Sequence, residues 1–278
     1  MKKTMSALLC LALLVAGAEF TFANTNNAND IDNYIRFHES KKEQVVDDVQ
    51  ILTNVGVPSS AITVSNVNRD DFRNDLMKYD LSYDNGIVDQ AQVERLASGG
   101  IRFDFYENDI HDIVILKSDG SVLLNGEMVV FEDVEKNVVD SNITPNGRTS
   151  VYSKSPQRGR SSDYTKHVKT YSKNVRTSSL VKDLTTTTIG TLLAAALTSS
   201  LPGTVALGVV FTAATHIKST AEVYAPKSSY FSYSIKKYAY KKNNTIDKYY
   251  KHKGRYYAKK NCVGHYYTSN FYEYNYIQ

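Results

Sequence analysis

The sequence predicts an α+β protein, with an acidic N-terminal domain of helices packed on an antiparallel meander. A basic C-terminal domain follows, built from an apolar helical hairpin plus antiparallel strands. Three observations predict this division. Residues 1–150 hold 13 Lys/Arg against 24 Asp/Glu, a net of −11, whereas residues 151–278 hold 20 against 5, a net of +15. Leu184 to Ile217 contains no Lys, Arg, Asp or Glu. Beyond that stretch lie 14 of the chain's 21 tyrosines, interleaved with lysines.

Residues 1–23 read as a secretory signal. Met1-Lys2-Lys3 is a positive start, and Ser6–Ala16 is an apolar run shorter than the roughly 20 residues a spanning helix needs. Cleavage candidates follow at Ala16-Gly17-Ala18 and Thr21-Phe22-Ala23. The expected location is secreted, from a bacterial producer. Only Cys262 survives signal removal, so no intramolecular disulfide forms and the fold rests on its core.

The acidic domain is expected over 24–140. Ile31, Tyr34, Ile35, Val45, Val46, Val49 and Leu52 follow helical spacing within Asn29–Thr53, and Gly56-Val57-Pro58 ends that helix. A second helix is expected over Asp70–Tyr79, capped by Asn68, and a third over Val88–Ala97, stopped by Gly99-Gly100. The period then changes. Ile101, Phe103 and Phe105 alternate with polar residues, and further apolar runs fall at Ile113–Leu116, Val122–Leu124 and Met128–Phe131. Asp119-Gly120 and Asn125-Gly126 between them are hairpin dipeptides.

No motif asks for an enzyme. There is no Gly-x-Ser-x-Gly, His-Glu-x-x-His, phosphate loop or Cys/His grid. Asp104, Glu107, Asp109, His111 and Asp112 form the densest group of titratable side chains, but their spacing fits no calcium loop. They read as a solvated turn. Cys262, His252 and His265 offer three metal ligands where a structural zinc site takes four. No catalytic, cofactor or metal residue is assigned.

Residues 141–166 read as a linker, containing Pro145-Asn146-Gly147 and Arg158-Gly159-Arg160-Ser161-Ser162. The sign of the charge flips here, and the basic loop is a candidate for protease cleavage.

The basic domain is expected over 167–278. Its apolar segment, 185–217, is divided by Pro202-Gly203 into two pieces, each too short to cross a bilayer comfortably. Three readings stay open: a buried hairpin, a hairpin that enters lipid on contact, and a standing span. The membrane-contact candidates are Leu192, Leu193, Leu197, Val205, Leu207, Val209, Val210 and Phe211. Tyr/Lys-rich strands are expected over 228–278, where Phe231, Tyr233 and Ile235 alternate with serines, and Asn243-Asn244 and Lys253-Gly254 supply turns. After Ala225 there are 11 Lys/Arg against two acids, a field that attracts polyanions. The polyanion-binding candidates are Lys236, Lys237, Lys241, Lys242, Lys251, Lys253, Arg255, Lys259 and Lys260. Export argues against nucleic acid as the partner.

The layout of Lys166–Gln278, an apolar Gly/Ala/Pro hairpin followed by a Lys/Tyr strand-rich tail, is similar to that of some larger bacteriocins. That resemblance implies action on another cell's envelope. The function expected is docking of the cationic half on anionic membrane or cell-wall polymers, followed by membrane insertion of the hairpin, with an immunity protein as the producer's partner. The alternative is a non-toxic protein that binds cell wall or extracellular matrix.

Overall fold

The computed structural model describes residues 62–71, 76–83, 86–135, 150–153, 158–200, 207–244 and 247–276. The expected helix over Asn29–Thr53 and the secretory signal lie outside them.

Seven strands form a consecutive antiparallel meander: β1 (Ile62–Asp71), β2 (Leu76–Tyr83), β3 (Val88–Arg95), β4 (Ile101–Glu107), β5 (Ile110–Leu116), β6 (Val122–Leu124) and β7 (Glu127–Met128). Asn125 and Gly126 both take positive φ, 51° and 87°, as a tight two-residue hairpin requires. Among the described residues the acidic half contains no helix, which corrects the expected helical N-terminal domain. Asp70 and Asp71 instead end β1, Leu76–Tyr79 begins β2, and Val88–Ala97 is largely β3. The reason is visible in β3, where Asp89, Ala91 and Val93 are buried and Val88 and Gln90 are exposed. The period is two, but its buried face begins with a carboxylate, so the remaining apolar residues mimic helical spacing.

The second sheet contains β8 (Val130–Asp133), β9 (Ser150–Ser153), β10 (Tyr164–Arg176), β11 (Tyr230–Tyr240), β12 (Asp247–Tyr257) and β13 (Tyr266–Tyr276). Their spatial order is β8-β10-β11-β12-β13-β9. All neighbours are antiparallel except β9, which runs parallel to β13. The apolar run Met128–Phe131, expected as one strand, is divided between the sheets, with buried Val129 at the crossover. Lys253-Gly254, expected as a turn, lies within β12. A Cβ at Gly254 would stand 2.6 Å from the Tyr256 hydroxyl, so this glycine makes room for a ring.

The apolar segment forms α1 (Thr186–Ser200) and α2 (Leu207–Tyr224). Every residue from Leu184 to Leu197 is buried. A helix apolar on all sides must be covered on all sides, and here the cover comes from both sheets. The Tyr83 hydroxyl of the meander bonds Thr187 Oγ1 at 2.5 Å, and the Tyr83 ring meets that of Phe211. From the second sheet, the Tyr233 hydroxyl donates to the Ala196 carbonyl at 2.9 Å, and Tyr267 stacks on His216. One continuous apolar core therefore joins both sheets and both helices. The helices touch closely at Gly190, where a Cβ would stand 2.6 Å from the Phe211 ring. Among the described residues no helix is long and apolar enough to cross a membrane.

Candidate functional site

Two charged constellations stand out, one inside the molecule and one on its surface. The inner one seats the N-terminus of α1. Asp89, Glu107 and Asp112 project from three adjacent strands, β3, β4 and β5, at the positions that continue the buried alternation of Val93/Ala91, Phe103/Phe105 and Leu116/Val114. The orphan N–H groups of the helix end on them: Thr185 N–H donates to Asp112 Oδ2 at 2.8 Å, Thr186 N–H to Glu107 Oε2 at 2.6 Å and Thr187 N–H to Asp89 Oδ2 at 2.8 Å. Thr185 caps the helix, its Oγ1 accepting from Thr188 N–H at 3.0 Å. From α2, the Lys218 ammonium donates to Glu107 Oε1, and both side chains are buried.

Burial pulls Glu107 upward, but the Lys218 hydrogen bond, the Thr186 N–H and the Lys218 charge reverse it, leaving its carboxyl below the usual range. Asp89 moves the other way. Burial pushes it up to about 7; Thr187's hydrogen bonds oppose that rise, and the Glu107 charge adds to it. A second buried group, on the helix-facing side of the second sheet, joins Lys237 and His252 to Glu273, at 2.8 and 2.6 Å. Burial raises Glu273, but its hydrogen bonds with His252 and Lys237 and the Lys237 charge overcome that and hold it at about 2; burial in turn lowers His252.

The surface constellation occupies the opposite face of the second sheet. The register sets Ser234 across from Arg255, Lys236 from Lys253 and Tyr238 from Lys251, with Thr170 and Ser172 of β10 beside them. Side chains alternate along strands, so these groups share one face. Lys236, Lys253 and Arg255 line a groove of about 590 Å³ together with the hydroxyls of Thr170, Ser172, Ser234 and Tyr238. Its end wall is the short turn 260–262, which carries Asn261 and Cys262 at positive φ, 63° and 56°. The turn is pinned in that strained conformation. Asn174 Nδ2 donates to Asn261 Oδ1 at 2.9 Å, Asn261 N–H donates to Asn174 Oδ1 at 2.7 Å, and Cys262 N–H donates to Ser232 Oγ at 3.0 Å.

Among the described residues Lys236 and Lys253 have no carboxylate partner. Glu135, the one acid lining the groove, lies 3.5 Å from Lys260. Lys251 sits one alternation beyond Lys253 and donates to Ser161 Oγ at 2.5 Å. Burial and the neighbouring Lys253 charge both lower its ammonium below the usual lysine range.

The candidates named from the sequence thus separate. Lys236, Lys251, Lys253 and Arg255 share the outer face. Lys237 lies on the other face, buried in its pair with Glu273. Lys241 pairs with Asp163 at 2.6 Å, and Lys260 with Glu132 at 3.3 Å. Lys242 and Lys259 are exposed in the turns that follow β11 and β12. Of the membrane-contact candidates, Leu192, Leu193, Leu197, Val210 and Phe211 are buried between the sheets. Leu207 and Val209 belong to α2, and Val205 lies outside the described residues.

The acidic group around β4 and β5 is dispersed. Glu107 and Asp112 face α1, Asp104 is held by Arg102 and His111 on the opposite side of the sheet, and Asp109 is in the exposed turn. Among the described residues no three His, Cys, Asp or Glu side chains are arranged to hold a metal ion.

Sequence reasoning missed the inner constellation. Its signal was present as carboxylates at inward parity in β3, β4 and β5, with a run of four threonines at the start of an uncharged helix. Comparison with protein-family models, with curated proteins and with solved structures gives no match.

Proposed function

We propose that this is an exported, non-enzymatic protein that binds anionic polymers of the cell envelope through the outer face of its second sheet and stays folded as it does so. The observation that carries the reading is the pair Lys236 and Lys253, side by side in a hydroxyl-lined groove and, among the described residues, paired with no carboxylate. Cations left unpaired on one face create a field that attracts extended polyanions.

The same reading gives the hairpin a structural role. Moving α1 and α2 into lipid would expose the inner faces of both sheets and strip Asp89, Glu107 and Asp112 of their N–H donors. Each buried group left without its partner costs about 1–3 kcal/mol, more when charged. These costs favour the wall- or matrix-binding reading over envelope attack by insertion.

Retention of the full chain on an immobilised anionic polymer, with elution by salt, tests the proposal. The chain should be retained, and the triple variant Lys236→Gln/Lys253→Gln/Arg255→Gln should elute far earlier. Equal elution of the two proteins would remove the groove from the reading. Dye release from phosphatidylglycerol vesicles at matched protein concentration would contradict the stay-folded part.

A further inference from the structure

Resting on the polymer-binding reading above, we propose that the groove takes a phosphodiester-linked polyol chain, with successive phosphates on successive outward cations of β12. The spacing argues for it. Lys251, Lys253 and Arg255 are two residues apart on one strand face, which at about 3.3 Å per residue gives a step of roughly 7 Å. Three backbone bonds span at most about 3.6 Å, so the six bonds between phosphates in a three-carbon polyol phosphodiester span about 7 Å when extended. Lys236 lies directly across from Lys253 and supplies a second cation at the middle phosphate.

The groove's other groups suit the same polymer. Thr170, Ser172, Ser234 and Tyr238 both donate and accept, matching free polyol hydroxyls and non-ester phosphate oxygens. Arg255, whose guanidinium lies over the Tyr266 ring at 4.9 Å, adds its permanent charge at the end of the same line of cations. The two rings that line the groove are engaged with neighbouring rings rather than laid open as platforms for nucleobases. Tyr257 is buried against Tyr266, and Tyr238 meets His167 edge-on. At one end the turn with Asn261 and Cys262 closes the groove, with Glu135 beside it. At the other end the cationic face continues past Lys251 to Ser161. A chain therefore lies along β12, with room to run on in one direction.

Calorimetric titration of the full chain tests this. The probes are poly(glycerol phosphate), polygalacturonate and oligo(dT) at matched charge, and phosphatidylglycerol vesicles. Poly(glycerol phosphate) should bind at least about tenfold tighter than each of the others. Three phosphate contacts at about −0.7 each give a log–log salt slope near −2, or roughly 20-fold weaker binding over a fourfold rise in salt. Lys236→Gln and Lys253→Gln should each weaken it about five- to tenfold, and Lys242→Gln, in the turn after β11, should leave it unchanged.

Equal affinity for the three polymers overturns the phosphodiester assignment and leaves the polymer-binding reading standing. Binding to none of them overturns both. A preference for vesicles assigns the face to a lipid surface and overturns the proposal.

Discussion

The interior and the outer face of this molecule use the same kinds of charged residue to opposite ends. Inside, every cation named is matched to a carboxylate: Lys218 to Glu107, Lys237 to Glu273. Outside, Lys236 and Lys253 stand beside one another with hydroxyls for company. The difference teaches that net charge says little by itself about where a protein acts. The acidic half spends Asp89, Glu107 and Asp112 on holding a helix, and these carboxylates are not available to a partner. The basic half, among the described residues, leaves Lys236 and Lys253 on a sheet face with no carboxylate paired to either.

That contrast can be broken most forcefully at Lys218. Lys218→Met leaves Glu107 buried without its cation, and removing one member of a buried pair costs about 3–5 kcal/mol. Urea denaturation should register that loss, and adding Glu107→Gln should recover much of it. A cost under 1 kcal/mol would mean the pair is solvated and the interior no different from the surface.

Gly190→Ala should rank next. Its Cβ meets the Phe211 ring, and overpacking costs about 1–3 kcal/mol, only partly offset by the roughly 1 kcal/mol that Ala gains over Gly in a helix. A stabilised variant would show that α1 and α2 do not sit this close.

The interior also has a definite dependence on pH. Asp89 binds its proton more tightly folded than unfolded, so its contribution is full below about pH 4 and is lost as pH rises toward 7. Glu107 and Glu273 are shifted downward, so theirs is present above their ordinary values and fades only as pH falls below about 4.5, toward 2 for Glu273. Burial lowers His252, which favours the higher pH over the same window. The Asp89 contribution is therefore read as the melting temperature of the wild type minus that of Asp89→Asn, which should fall from pH 5.5 to pH 8. A difference that stays level or rises over that window would contradict the assignment.

The outer face should be the insensitive one. Lys236→Gln/Lys253→Gln should change stability by less than about 0.5 kcal/mol, as surface substitutions away from special features do. A loss comparable with that of Lys218→Met would show that these lysines hold the fold.

The sequence made some of this legible and hid the rest for identifiable reasons. Alternation through Ile101, Phe103 and Phe105 and the turn at Asn125-Gly126 announce strands directly, because period two and positive φ are local properties. The uncharged stretch from Leu184 to Ile217 announces helices that need cover. Asp89 concealed β3, since a buried carboxylate reads as a break in the apolar face until its partner at the start of α1, 98 residues away, is known. Lys237 was indistinguishable from Lys236 for a similar reason, because the strand register alone sends one inward and the other outward. Lys253-Gly254 imitated a turn because the crowding by Tyr256 that requires glycine is tertiary.

Hydrogen exchange on the full chain, alone and with phosphatidylglycerol vesicles or poly(glycerol phosphate), tests the central contrast most directly. Slow exchange at Ile189–Leu197 under all three conditions, with added protection confined to β11 and β12 when the polymer is present, is the result predicted. Acceleration at Ile189–Leu197 on adding vesicles would contradict it, because the hairpin would then be leaving the interior to meet lipid.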